Sequence, residues 1–486
     1  MNAAPVLQFP VIRYVLLLAV AYTVWVHCSL LMPGVDAGIH MYGSYLITEG
    51  KWPYENLWNN KPPLIYLMGT SGFIIPSNPF LGVRVVELMV LLLNLVLIYR
   101  IAVIAGLRQP LLYPLTFVAI YLVCWDEGFL TETFTIPLNL LALYLFLIKA
   151  KWFEAIAGLL FLLCMLLKQN AFSITGSIIL IDIFSKYRTG HTTRKAGRYA
   201  AWVLAYAGVV ALWFLVTGVW QEFVDQVWGY NYRFVVRPGV WQWLVTHVRH
   251  NSFLSVKGVS AVILFNLVLL RMLWQYGRKR KAGESFTMAD KLLVGCLIVY
   301  ITSYGLVYIS GKTYAHYFML LIVPATFLFG KIVSSHWVGK LALAGLFVYA
   351  VKWNLFAVNM QQEVHQHKKS LADYLAQHST PADRIYIEGA GNQYIYVLAK
   401  RRCNTRFVVP LGEREGYTQH KKSILRFDFA KHTPLFIVLQ KRGKINADNF
   451  QVQLVRQMLQ RYSRVWENGA YEVYEFRPYA AANPTH

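Results

Sequence analysis

Long apolar stretches recur along this chain as far as about residue 360, separated by short polar turns, and such a chain has few places to fold except lipid. A helix needs about 20 apolar residues, rising 1.5 Å each, to cross about 30 Å of hydrocarbon. Composition agrees, because 56% hydrophobic and 15% charged residues are not the mix that covers a soluble protein. Spans are expected at 12–31, 83–104, 111–125, 133–148, 152–167, 171–184, 200–219, 256–274, 292–309, 317–329 and 338–356. The first follows Arg13 and lacks a small-x-small cleavage site, so it reads as a retained span and not a signal peptide.

The cations set the orientation, since Lys and Arg gather in short cytoplasmic loops. With the N-terminus inside, Arg100 and Arg108, Lys149 and Lys151, the basic run 186–198, the run 278–281, and Lys331 with Lys340 all fall on the cytoplasmic side. About eleven spans then put the C-terminus outside. The net charge of +23 is explained by this sidedness and by anionic headgroups, and no basic stripe on a recognisable module points to nucleic acid. Cys28, Cys124, Cys164 and Cys296 lie in or beside spans and Cys403 stands alone, so neither a disulfide framework nor a CxxC metal site is visible.

The first outward loop, 32–82, is long for a bundle connection and therefore a candidate functional loop. Its second half, 62–75, is apolar but too short to span, and Trp52, Tyr54, Trp58 and Tyr66 suit the headgroup level. Further outward loops are expected at 126–132, 220–253 and 310–316. From residue 361 hydropathy falls, and short β-rich runs at 384–387, 406–409, 435–439 and 471–476 alternate with helical stretches, as in a small α/β domain. The chain therefore divides into a transmembrane part, 1–360, and a soluble extracytoplasmic part, 361–486.

Ionisable groups near membrane depth are the ones to question, because each is costly there. Asp36 follows the first span between Gly34 and Gly38, placed either to take a proton from an attacking hydroxyl or to punctuate a helix end. Lys61, before Pro62-Pro63, suits a phosphate or simply snorkels to the interface. Glu132 opens a span beside Thr131, which is also the pattern of a capping box. Lys168, and Lys312 with His316 and Tyr317, are outward cations and polar groups that run against the usual charge bias and invite a ligand explanation. Two carboxylates and several cations on one face suit a transfer in which phosphate leaves.

The first loop carries a spaced pattern that runs through Asp36, Tyr45, Gly50, Pro53, Tyr54 and Asn56 and closes on Asn60-Lys61-Pro62-Pro63-Leu64. In that pattern the chain resembles the membrane glycosyltransferases that use polyprenyl-phosphate sugars, of the protein mannosyltransferase and lipid A aminoarabinose transferase type, which share the GT-C fold. Arg84 resembles the family's arginine at the head of the second span, and Lys168 its lysine at the end of the fifth. Leu130-Thr131-Glu132 resembles a second-loop motif that more often carries Asp, and His316-Tyr317 with Pro324 resembles an HY-x6-P turn.

This resemblance implies a polytopic α-helical membrane protein of GT-C type and an inverting transfer from a polyprenyl-phosphate sugar to a lipid, glycan or protein acceptor. It makes Asp36 the base, with Glu132 orienting acceptor or base. Lys61, Arg84, Lys168, Lys312, His316 and Tyr317 become the groups that hold the donor phosphate. No cofactor is required by the pattern, although a divalent metal on Asp36, Glu132 or His316 remains compatible with it. Two other readings compete: a transporter or flippase of a lipid-linked substrate, and a GT-C ligase or polymerase that moves whole glycans.

Overall fold

A computed structural model of the chain describes residues 14, 17–18, 20–25, 33–124, 128–184, 192–230, 232, 274–279, 281–309, 319–389, 391–409, 419–441 and 449–477. Helix α1, Val35–Thr48, comes first in the long loop, followed by the short α2, Leu64–Gly69, which tightens into a 3-10 turn, Thr70–Ile74. The apolar helices are α3 (Pro79–Ile104), α4 (Leu112–Cys124), α5 (Thr131–Leu147), α6 (Phe153–Leu167), α7 (Ser173–Phe184), α8 (Thr192–Val216), α9 (Met288–Ile309) and α10 (Ile322–Ser335). Each matches an expected span. The expected spans 256–274 and, for the most part, 12–31 lie outside the described residues.

Among the described residues three helices, α3, α8 and the first part of α9, are long and apolar enough to cross a membrane unaided. The others are shorter. Local chemistry sets their ends: Asn78 caps α3 by accepting the Leu81 N–H at 3.1 Å, and Pro79 supplies a helical first residue that needs no donor.

Helix α11, Trp337–Gln377, runs unbroken from the apolar bundle into the tail, about 60 Å at 1.5 Å per residue. It passes straight through residue 361, where hydropathy changes. Beyond it the chain forms β1 (Arg384–Ile387), α12 (Gln393–Ala399), β2 (Arg402–Cys403), α13 (Gln419–Lys431), β3 (Phe436–Gln440), α14 (Phe450–Met458), β4 (Tyr462–Glu467) and β5 (Tyr471–Phe476). The sheet order is β2-β1-β3-β5-β4, with β2, β1 and β3 parallel and β5 and β4 antiparallel. The small α/β tail expected from the sequence is therefore present.

One expected strand is not. Residues 406–409 form no strand, because side chains take their backbone groups instead: Asp428 accepts the Arg406 N–H, and Gln451 and Gln393 donate to the Phe407 and Val408 carbonyls. Strand β4 went unread because its outward residues are polar and only Tyr462 is buried.

Buried side chains fall into a bundle core, a small cluster around Cys164, Ala171, Val307 and Leu320, and a second large core in which first-loop residues such as Tyr42, Tyr54 and Tyr66 join tail residues such as Ile385, Val438 and Val473. This second core corrects the expectation of headgroup aromatics. Tyr54 and Tyr66 are buried, Trp52 packs edge-on against Trp213 with centroids 4.9 Å apart, and Trp58 does the same against Tyr230. Rings later in the chain cover them, Trp213 on Trp52 and Phe214 with Phe223 on Tyr54.

Candidate active site

Asp36 lies in the first turn of α1, after the N-cap Gly34. Its carboxylate accepts from the Lys61 ammonium at 3.0 Å, both side chains being partly exposed. A strained turn delivers Lys61: Tyr54 holds a positive φ of 74°, and its hydroxyl donates to the Lys61 carbonyl at 2.9 Å. Gln226 clamps the same loop, accepting the Asn59 N–H and donating to the Tyr54 carbonyl.

Glu132 sits in the first turn of α5, whose N-cap is Leu130, so Thr131 does not form a capping box. The Thr131 hydroxyl donates to the Glu132 carboxylate at 2.7 Å, and Lys168, one residue beyond α6, forms a buried ion pair with it. Burial pulls the Lys168 ammonium down to about 8, against the attraction of Glu132, with Lys61 lowering it further. Gln169 ties this helix end to the first loop by donating to the Asn60 and Val227 carbonyls. Two lysine–carboxylate pairs thus meet at one end of the bundle.

Arg84 is elsewhere. It is buried in α3, bonded to Glu87 at 2.5 Å and laid over the Phe80 ring. Glu87 also accepts the Phe129 N–H at 2.6 Å, so this pair braces the turn leading to Glu132. The brace explains Gly128: a Cβ there would fall on the Arg84 guanidinium. Phe129 itself is left-handed, with φ of 58°.

Sequence reasoning passed over His40, fully buried one turn after Asp36 on the same face of α1. Its Nδ1 lies 2.9 Å from the Phe129 carbonyl, to which only an N–H can donate. Burial lowers its pKa to about 4, with Asp36, Lys61 and Glu132 all within electrostatic reach. The i, i+4 spacing to Asp36 was the available signal. Glu87, three residues after Arg84, was legible in the same way.

Lys312, His316 and Tyr317 lie outside the described residues. Among the described residues no three His, Cys, Asp or Glu side chains gather as a metal ion would need, and Cys124, Cys164, Cys296 and Cys403 are buried free thiols.

The tail closes over this end of the bundle. Its turn at Gly389 and Gly391, with φ of 98° and 87°, is open to glycine but strained for other residues. The turn lies against Val35, and Lys368 donates to the Gly391 carbonyl. The Cys403 N–H donates to the Tyr42 hydroxyl, and the Trp58 N–H to the Arg406 carbonyl.

Residues 365–477 match the family described as putative competence-induced protein Ccs4 C-terminal domain. No curated protein matches the chain by sequence. Among solved structures, ArnT from Cupriavidus metallidurans bound to undecaprenyl phosphate is similar at 13% identity and a TM-score of 0.60, over 95% of this chain and 97% of that one. The archaeal oligosaccharyltransferase AglB from Archaeoglobus fulgidus gives 13% identity and a TM-score of 0.49, over 97% of this chain and 75% of that one. The mycobacterial arabinofuranosyltransferase AftD gives 12% and 0.46, over 95% and 40%. The first-loop motif, the apolar helices and the end-to-end match to ArnT agree: this is a membrane protein with the GT-C fold.

Proposed function

We propose that the chain is an inverting glycosyltransferase that moves a sugar from a polyprenyl-phosphate donor to a lipid, glycan or protein acceptor. The observation that carries this reading is the meeting of the Asp36–Lys61 and Glu132–Lys168 pairs at the tail-covered end of the bundle. ArnT, whose fold this is, was solved with undecaprenyl phosphate, the same class of carrier.

Asp36 takes the proton of the acceptor hydroxyl as its oxygen attacks the anomeric carbon. The bond from that carbon to the phosphate oxygen breaks on the opposite side, and the electron pair leaves with the polyprenyl phosphate. Lys61 and Lys168 meet the charge that develops there, each as a point charge held close by a carboxylate until the phosphate arrives. Glu132 holds Lys168 and orients the acceptor. Lys312, His316 and Tyr317 complete the phosphate site, while Arg84 supports it through Glu87 and the Phe129 turn.

The packing of the tail on α1 supports one membrane face for Asp36 and the tail, and the distribution of cations favours the outer face. The chain then reads as a multi-pass protein of the plasma or inner membrane, N-terminus in the cytoplasm, with 361–486 extracytoplasmic. The test is mass spectrometry of lipid-linked sugars and envelope glycans with and without the gene. Loss of a glycan substituent together with accumulation of a polyprenyl-phosphate sugar supports transfer. A lipid-linked sugar that merely changes sides, with none consumed by active membranes, overturns it in favour of transport.

A further inference from the structure

Two buried polar atoms beside Asp36 have no hydrogen-bond partner among the described residues: Nε2 of His40 and the hydroxyl of Tyr66. Both residues are at most 1% exposed, and both feel Asp36 and Lys61. Their rings meet edge-on, with centroids 6.1 Å apart. Buried polar atoms are nearly always paired, so orphans on two rings in contact call for a visiting group.

Their chemistry specifies it. With Nδ1–H donating to the Phe129 carbonyl, the neutral imidazole presents Nε2 as a lone-pair acceptor. The tautomer is held from behind, since Glu87 fixes the Phe129 N–H and Arg84 fixes Glu87. A tyrosine hydroxyl readily donates. A partner that donates to one and accepts from the other is a hydroxyl.

Resting on the glycosyltransferase reading, we propose that His40 and Tyr66 form a subsite for a sugar hydroxyl of the substrate, His40 accepting from it and Tyr66 donating to it. The left-handed Phe129 and the Arg84–Glu87 brace serve this subsite by fixing the imidazole.

Two substitutions separate this role from a structural one. His40→Asn keeps an amide donor near the position of Nδ1 and removes the Nε2 acceptor; His40→Gln does the reverse. Membranes carrying each variant are titrated with the lipid fraction extracted from cells lacking the gene, and thermal unfolding is followed in detergent. His40→Asn is expected to unfold like wild type at neutral pH yet transfer about 10- to 100-fold less, the loss of one hydrogen bond to substrate with its partner left unpaired. His40→Gln is expected to be less stable but the more active of the two, and Tyr66→Phe to lose transfer about 10-fold. A higher half-saturating amount of the lipid fraction places the hydroxyl on the transferred sugar, and a lower maximal rate at unchanged half-saturation places it on the acceptor. If His40→Asn transfers like wild type while Asp36→Asn does not, a trapped water fills the niche and the subsite is wrong while the transferase stands. If wild-type membranes consume no lipid-linked sugar, the transferase reading itself fails.

Discussion

Replacing Glu132 with Gln tests how the buried pair with Lys168 is held. Removing one partner of a buried ion pair ordinarily costs about 3–5 kcal/mol, because the other charge is stranded. A lysine has a way out that an arginine lacks: it can shed its proton. Burial already lowers Lys168 from 10.5 to about 8. An amine whose pKa is lower in the folded state is penalised as pH falls from 10.5 to 8, and the penalty is complete below 8. At about 1.4 kcal/mol per pH unit, the wild type carries about 3 kcal/mol of it at pH 7.5. Without the Glu132 charge the pKa drops further and the folded lysine is neutral at pH 7.5, which caps the penalty at about 4 kcal/mol. The variant should therefore lose only about 1 kcal/mol at pH 7.5, grow worse below neutrality, and match wild type by about pH 10, where both lysines are neutral. Thermal unfolding in detergent across that pH range reads this as a shift of about 1–2 °C at pH 7.5. A pH-independent loss of the full stranded-charge size would refute the reasoning, by showing that Lys168 stays charged without Glu132.

Three further outcomes follow from other contacts. His40 has its pKa lowered from 6.5 to about 4, so stability should fall as pH drops through that window, by up to about 3 kcal/mol, and His40→Asn should remove this slope in acid unfolding curves. Gly128→Ala should lose about 1–3 kcal/mol or more, since its methyl falls on the buried Arg84 guanidinium, and a Tm equal to wild type would show that the brace yields freely. Tyr42→Phe leaves the buried Cys403 N–H without its acceptor; a loss of about 1–3 kcal/mol should appear as faster proteolytic release of the tail.

The apolar helices were legible because their lengths and compositions are dictated by hydrocarbon thickness, and helices α3 to α10 follow the expected stretches. Asp36, Lys61, Glu132 and Lys168 were legible as charges in costly places. What they pair with was not, since Lys61 reaches Asp36 across 25 residues and Lys168 reaches Glu132 across 36, and loop closure over such distances leaves no local pattern. Arg84 read as a phosphate ligand because an arginine beside membrane depth invites an anion, and its pairing with Glu87, one helical turn away, was open to the same reading. His40 sits on an apolar helix face, and its one sequence signal, the i, i+4 spacing to Asp36, does not separate a site histidine from a core one until its neighbours are known. The loop aromatics read as interfacial for want of the later rings that pack on them, Trp213, Phe214, Phe223 and Tyr230.

The central claim is that Asp36 removes the acceptor proton during transfer, and Asp36→Asn addresses it most directly, since the amide keeps the shape and loses the base. With expression and thermal stability like wild type, membranes carrying the variant should transfer about 10²- to 10⁴-fold less sugar, while lipid-linked donor accumulates in the cells. Transfer at the wild-type rate in that variant would contradict the account, whatever the fold.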